Sequence, residues 1–156
     1  MEINRYERIW MSISIAAIVL MLIGITMAGY SMGVQMPGDA GIVDPRNLKS
    51  QPPFDKPGLT DLGSGKYEAV MVAQTWQFNP AEITIPAGAE VTFKITSRDV
   101  SHGLIVENTN INTMVIPGQV TQFTVRFPKA GTYQFVCHEY CGVGHQTMAG
   151  KIIVQP

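Results

Sequence analysis

Cysteine is scarce in these 156 residues, with Cys137 and Cys141 the only two. Charge is scarce too: 15% of residues carry it, and 11 basic against 12 acidic side chains leave a net charge of -1 with no long run of either sign. That balance supplies no field for nucleic acid, so no nucleic-acid partner is expected. The chain has no internal repeat and no low-complexity tract, and it is too short for two full domains with separate cores. One domain, one anchor and one site are the expectation.

The segment from Ile9 to Tyr30 contains no charged residue and is rich in Ile, Leu, Met, Val and Ala. At about 1.5 Å per helical residue it spans roughly 33 Å, enough to cross a bilayer. Trp10 and Tyr30 near its ends suit the headgroup region, and Arg5 and Arg8 just before it place the N-terminus on the cytoplasmic side. A cleaved signal peptide shares this outline. The apolar stretch is long for a signal core, however, and Met27-Ala28-Gly29-Tyr30-Ser31 is a poor cleavage site. No cysteine lies nearby to take a lipid, and either reading exports the rest of the chain. The expected division is a cytoplasmic segment 1–8, a single transmembrane helix 9–32, a linker 33–65 and a domain 66–156.

The linker alternates Pro37, Pro45, Pro52, Pro53 and Pro57 with glycines and keeps no apolar period, so it reads as an extended, semi-rigid connector. From Lys66 onward the period becomes two. Val91, Phe93 and Ile95 alternate with polar residues, as do Phe123, Val125 and Phe127, and Tyr133, Phe135 and Cys137 alternate with Gln134 and Val136. Further strands are expected near 67–74, 82–85, 104–107, 112–115 and 151–154, with turns at Pro86-Ala87-Gly88, Pro117-Gly118 and Pro128-Lys129-Ala130-Gly131. Seven or eight short strands and no convincing amphipathic helix predict an all-β Greek-key sandwich.

Both cysteines fall in Cys137-His138-Glu139-Tyr140-Cys141-Gly142-Val143-Gly144-His145-Gln146-Thr147-Met148, between two expected strands and hence in a loop at one end of the sandwich. Thiolate and thioether donors beside imidazole favour copper over hard cations. Zinc is the rival, but close C-x2-C pairs are the common zinc spacing and a structural zinc leaves Met148 unexplained. A disulfide is compatible with an exported pair of cysteines, yet it requires neither His145, Met148 nor the upstream His102. His138 adjoins Cys137 and is expected to face the other way, as neighbours on an extended segment do.

The loop resembles the copper A motif of haem-copper oxidase subunit II, and Val100-Ser101-His102-Gly103-Leu104 resembles that family's upstream histidine segment. Glu107-Asn108-Thr109-Asn110-Ile111-Asn112 followed by Pro117-Gly118 is similar to the B-type branch, whose subunit II has one transmembrane helix. The resemblance implies a cupredoxin-like sandwich holding two copper ions. Cys137 and Cys141 would bridge both, His102 and His145 would hold one each, and Met148 and the backbone carbonyl of Glu139 would be weak ligands. In some relatives the Glu side chain at the Glu139 position helps bind magnesium, whereas the B-type branch tends to lack that site. Trp76 and Phe78 resemble the family's aromatic segment near the copper, where electrons arrive; plain packing is the other reading for both rings. Gly142 and Gly144 are expected to supply backbone angles that a side chain would obstruct.

By the same resemblance, the chain takes electrons from cytochrome c and passes them to haem in subunit I, where oxygen is reduced, so that enzyme describes the complex. Its partners would be subunit I, cytochrome c, membrane lipid and a small single-helix subunit as in the B-type branch. It would lie in the plasma (inner) membrane with the copper domain on the periplasmic or extracellular side. The alternative is an anchored mononuclear blue-copper carrier, which needs only one Cys in the loop. Quinol-oxidase subunits lack the copper ligands. In nitrous oxide reductase the motif follows a large propeller for which this chain has no room.

Overall fold

The computed structural model describes residues 4–156. Residues 1–3, the start of the expected cytoplasmic segment, lie outside the described residues. The chain divides into two units that part at Val34 and Gln35.

The first unit is helix α1, Arg5–Met32. Its start is set by Asn4, whose side-chain oxygen accepts from the Tyr6 N–H at 3.1 Å. Its end is set by Gly33, whose φ of 63° is the left-handed cap that glycine adopts without strain. The helix thus begins one turn before the apolar stretch and includes both arginines. None of its residues is buried within the chain, and an 18-residue stretch of it has a mean hydropathy of 2.4, which suits a lipid environment.

The second unit is a two-sheet sandwich of ten strands. One sheet is ordered β1 (Gly58–Gly63), β2 (Lys66–Gln74), β5 (Glu90–Ser97), β8 (Thr121–Arg126), with β3 (Gln77–Asn79) folded back onto β2. The other is ordered β4 (Glu82–Pro86), β10 (Ala149–Gln155), β9 (Gly131–Val136), β6 (His102–Val106), β7 (Asn112–Val115). The pairs β2/β5 and β4/β10 are parallel and the rest antiparallel. The eight segments expected as strands are present, and β1 and β3 are additional.

The alternation works as predicted in β5, where Val91, Phe93 and Ile95 are fully enclosed between the sheets. Phe78 from one sheet meets Phe135 from the other edge-on at 5.3 Å, fastening the two layers at the end that carries the loop. Each such ring contributes roughly 1.5–3 kcal/mol by leaving water.

The 33–65 segment is more structured than a connector. Leu48, on the 3-10 turn Leu48–Ser50, and Phe54 are buried against Val70, Val72 and Val120 on the outer face of the first sheet. Backbone bonds from Ala40 and Val43 to the 118–120 segment seal the arrangement. This second core explains the unbroken apolar run from Ala69 to Ala73: Ala69, Met71 and Ala73 face the sandwich interior, and Val70 and Val72 face the arm. A strand covered on both faces loses its polar alternation.

Candidate metal centre

Two neighbouring strands of one sheet bring the distant residues together. β6 opens on His102, β9 leads into Cys137, and the two strands pair through Ile105↔Val136 and Val106↔Phe135. The loop leaving β9 is closed at its neck, where the Cys137 N–H donates to the Met148 carbonyl at 3.0 Å and β10 then runs back along β9. Inside the loop a 3-10 turn, His145–Thr147, aims His145 and Met148 inward.

The donors converge. Cys137 and Cys141 are free thiols, buried, with their Sγ atoms 3.9 Å apart. His102 Nδ1 lies 3.9 Å from Cys137 Sγ, and His145 Nδ1 lies 3.6 Å from Cys141 Sγ. Met148 Sδ is 3.6 Å from Cys141 Sγ, and the Glu139 carbonyl is 3.2 Å from Cys137 Sγ. The binding atoms of His102, Cys137 and Cys141 all fall within 4.8 Å of one another. Two soft sulfurs, a thioether and imidazole nitrogens enclosed in an apolar core match copper by donor chemistry. Burial and the neighbouring Cys137 push the Cys141 thiol up to about 11, so a metal bound there displaces protons.

His102 is completely enclosed, and its outer nitrogen is held from behind. Its Nε2 hydrogen-bonds Asp99 at 2.9 Å, which leaves Nδ1 to face the thiol. Asp99 in turn accepts from the Thr75 N–H and hydroxyl and from the Val100 N–H, each at 2.7 Å. Partial burial raises the Asp99 pKa, but these hydrogen bonds outweigh it and hold the carboxyl down at about 2, so the group is charged at neutral pH. Asp99 and Thr75 escaped sequence reasoning; the available signal was an acid three positions before the histidine, in a turn.

His138 turns away, as expected, with its Nε2 on the Thr113 carbonyl at 3.2 Å. Its ring lies against Gly103, where a Cβ would collide with it. The Glu139 side chain is exposed. Phe78 is fully buried in the inter-sheet core, whereas Trp76 is 46% exposed and lies on the ligand loop. Gly142 has φ 117°, in keeping with the expected backbone role. Gly144 corrects that expectation: its φ of -93° is open to any residue, and what requires glycine is the Trp76 ring, whose Cδ2 stands 2.5 Å from where a Cβ would sit. The two glycines form a bed for the indole.

Residues 60–154 match the family model of the cupredoxin-like domain. Over 154 residues the chain is 38% identical to cytochrome c oxidase subunit 2 of Thermus thermophilus, covering 96% of this chain and 92% of that protein. The chain belongs to the cytochrome c oxidase subunit 2 family. A solved haem-copper terminal oxidase dimer contains a chain that superposes with a TM-score of 0.78 at 34% identity, covering 97% of this chain and all of that one. Nitrous-oxide reductase of Stutzerimonas stutzeri is 32% identical over 95 residues, 58% of this chain but 15% of that enzyme. As a subunit 2 family member, the chain is the membrane-anchored subunit II of a haem-copper cytochrome c oxidase, an oxidoreductase complex. Its anchor is the apolar helix α1, and among the described residues His102, Cys137 and Cys141 form the group suited to copper.

Proposed function

We propose that this subunit II holds a dinuclear copper A centre on Cys137, Cys141, His102, His145, Met148 and the carbonyl of Glu139. The observation that carries the reading is the doubled arrangement: two unbonded buried thiols, each with an imidazole Nδ1 beside it. A single-copper site needs one thiolate, and Cys141 with His145 would then be surplus. Two bound copper ions would supply reversible one-electron storage between cytochrome c and the haem of subunit I.

The chain's own contribution is a rigid, dry enclosure. Asp99 fixes the His102 ring, the closed neck fixes Cys137 against Met148, and Phe78 packed on Phe135 braces the strand ends beneath the loop. Such a frame limits rearrangement when charge on the site changes. Trp76, exposed and resting on the ligand loop, is the proposed point where electrons arrive, while the enclosed Phe78 packs on Phe135 in the core.

In this proposal α1 crosses the plasma (inner) membrane once with its N-terminus cytoplasmic, and the copper domain lies on the periplasmic or extracellular side. Residues 33–65 join the anchor to the domain 66–156. Subunit I, cytochrome c and a small single-helix subunit are the proposed partners. The test is the copper-to-protein ratio of the purified chain together with its electron spin resonance spectrum. Two coppers per chain sharing one unpaired electron are expected; one copper with a blue mononuclear spectrum defeats the proposal.

A further inference from the structure

We propose that a cleft away from the copper site binds a small organic carboxylate. The cleft, about 330 Å³, lies between the 46–57 arm and the edge of the first sheet at β2 and β3. Its apolar wall comes from Leu48, Phe54 and Val72, the same residues that hold the arm to the sheet. Small-ligand sites combine such a wall with a few placed polar groups, and this volume is at the low end of their range, which suits a body of about ring size.

The charge pattern around the cleft decides the ligand's sign. Elsewhere on the sandwich, Lys66, Lys94, Arg126 and Lys151 each reach a glutamate. Arg46, Lys49 and Arg98, which line the cleft, make no ion pair and no side-chain hydrogen bond among the described residues. One acid, Asp55, shares the lining, and it too is without an ion-pair partner among the described residues. Three uncompensated cations against one carboxylate leave the rim positive. Two of them are guanidinium forks, which match a planar carboxylate with paired N–H donors.

Arg98 has a fixed backbone: its N–H donates to the Ala73 carbonyl at 2.9 Å as β5 ends. Arg46 and Lys49 approach from the arm, braced by the Gln51 side chain, whose amide donates to the Asp44 and Asn47 carbonyls. The cations therefore stand on two separate supports over one apolar wall, as a pocket that grips an anion from two sides requires. None of the proposed copper ligands lines the cleft, so this inference does not rest on the copper reading.

The experiment titrates the detergent-solubilised, copper-loaded full chain with para-fluorobenzoate, followed by fluorine NMR, with para-fluorobenzyl alcohol as the neutral counterpart. Saturable binding of the carboxylate is expected, at least about tenfold tighter than the alcohol. Arg98→Gln should weaken it about tenfold, and the double variant Arg46→Gln with Lys49→Gln, on the exposed arm, by a similar factor. Equal affinity for the alcohol, no saturable binding, or variants that bind like the parent would each overturn the proposal. If Arg98→Gln fails to fold, the arm variant alone decides.

Discussion

His102 and His145 place Nδ1 beside a thiol sulfur at similar distances, 3.9 and 3.6 Å, but what stands behind the two rings differs. His102 belongs to a strand, is fully buried, and has its outer nitrogen held by a charged Asp99 that is itself engaged through both oxygens. His145 belongs to a 3-10 turn in the loop, is half-buried, and has the exposed Tyr140 ring 5.8 Å away as its neighbour. The strand side is therefore held from behind by Asp99, while the loop side is the one partly open to solvent. One half of a site can thus store geometry while the other supplies access.

Removing the loop-side thiol is the most severe way to break this comparison. Cys141→Ser should abolish the two-copper spectrum and reduce loading to one copper or none; an unchanged ratio would show that Cys141 is not a ligand. Exchange of the two rings sharpens it next. His145→Gly should recover its spectrum with added imidazole, because that position opens to solvent, whereas His102→Gly should not, because its cavity is sealed. Equal rescue in both would erase the proposed asymmetry.

The support behind His102 comes third. Asp99→Asn keeps the shape but removes the charge, and copper affinity should fall about 10–100-fold by competition with a chelator. A comparable loss on replacing exposed Glu139 with Gln would remove Asp99 from its special role. The smallest effect belongs to the rim of the loop. Gly144→Ala adds a methyl where the Trp76 ring lies, so reduction by cytochrome c should slow severalfold while copper content stays intact. An unaltered rate would leave Trp76 as a packing residue.

Period-two alternation made β5, β8 and β9 legible from the sequence, because each sends one face to water, and Gly and Pro punctuation around short apolar segments marked five more strands of the sandwich. It could not reveal β1, whose residues are exposed at the sheet edge or only partly covered, or the three-residue β3. Nor could it show that Leu48 and Phe54 bury themselves on the sheet, since two apolar residues among prolines have no period. At the site, donor chemistry picked out the residues now found clustered, because soft ligands at short spacing have few other uses. Their supports were harder to read. Thr75 and Asp99 meet only after β2 pairs with β5, Gly103 meets His138 only after β6 pairs with β9, and Gly144 serves a tryptophan 68 positions away in the chain.

The neck at Cys137 and Met148 has a consequence for how such a site can change. The β9/β10 ladder begins just outside that hydrogen bond, so insertions, deletions or altered donors inside the loop should leave the ladder in place. A grafted loop of different length should therefore fold on this sandwich and bring its own metal preference, with His102 already waiting for it.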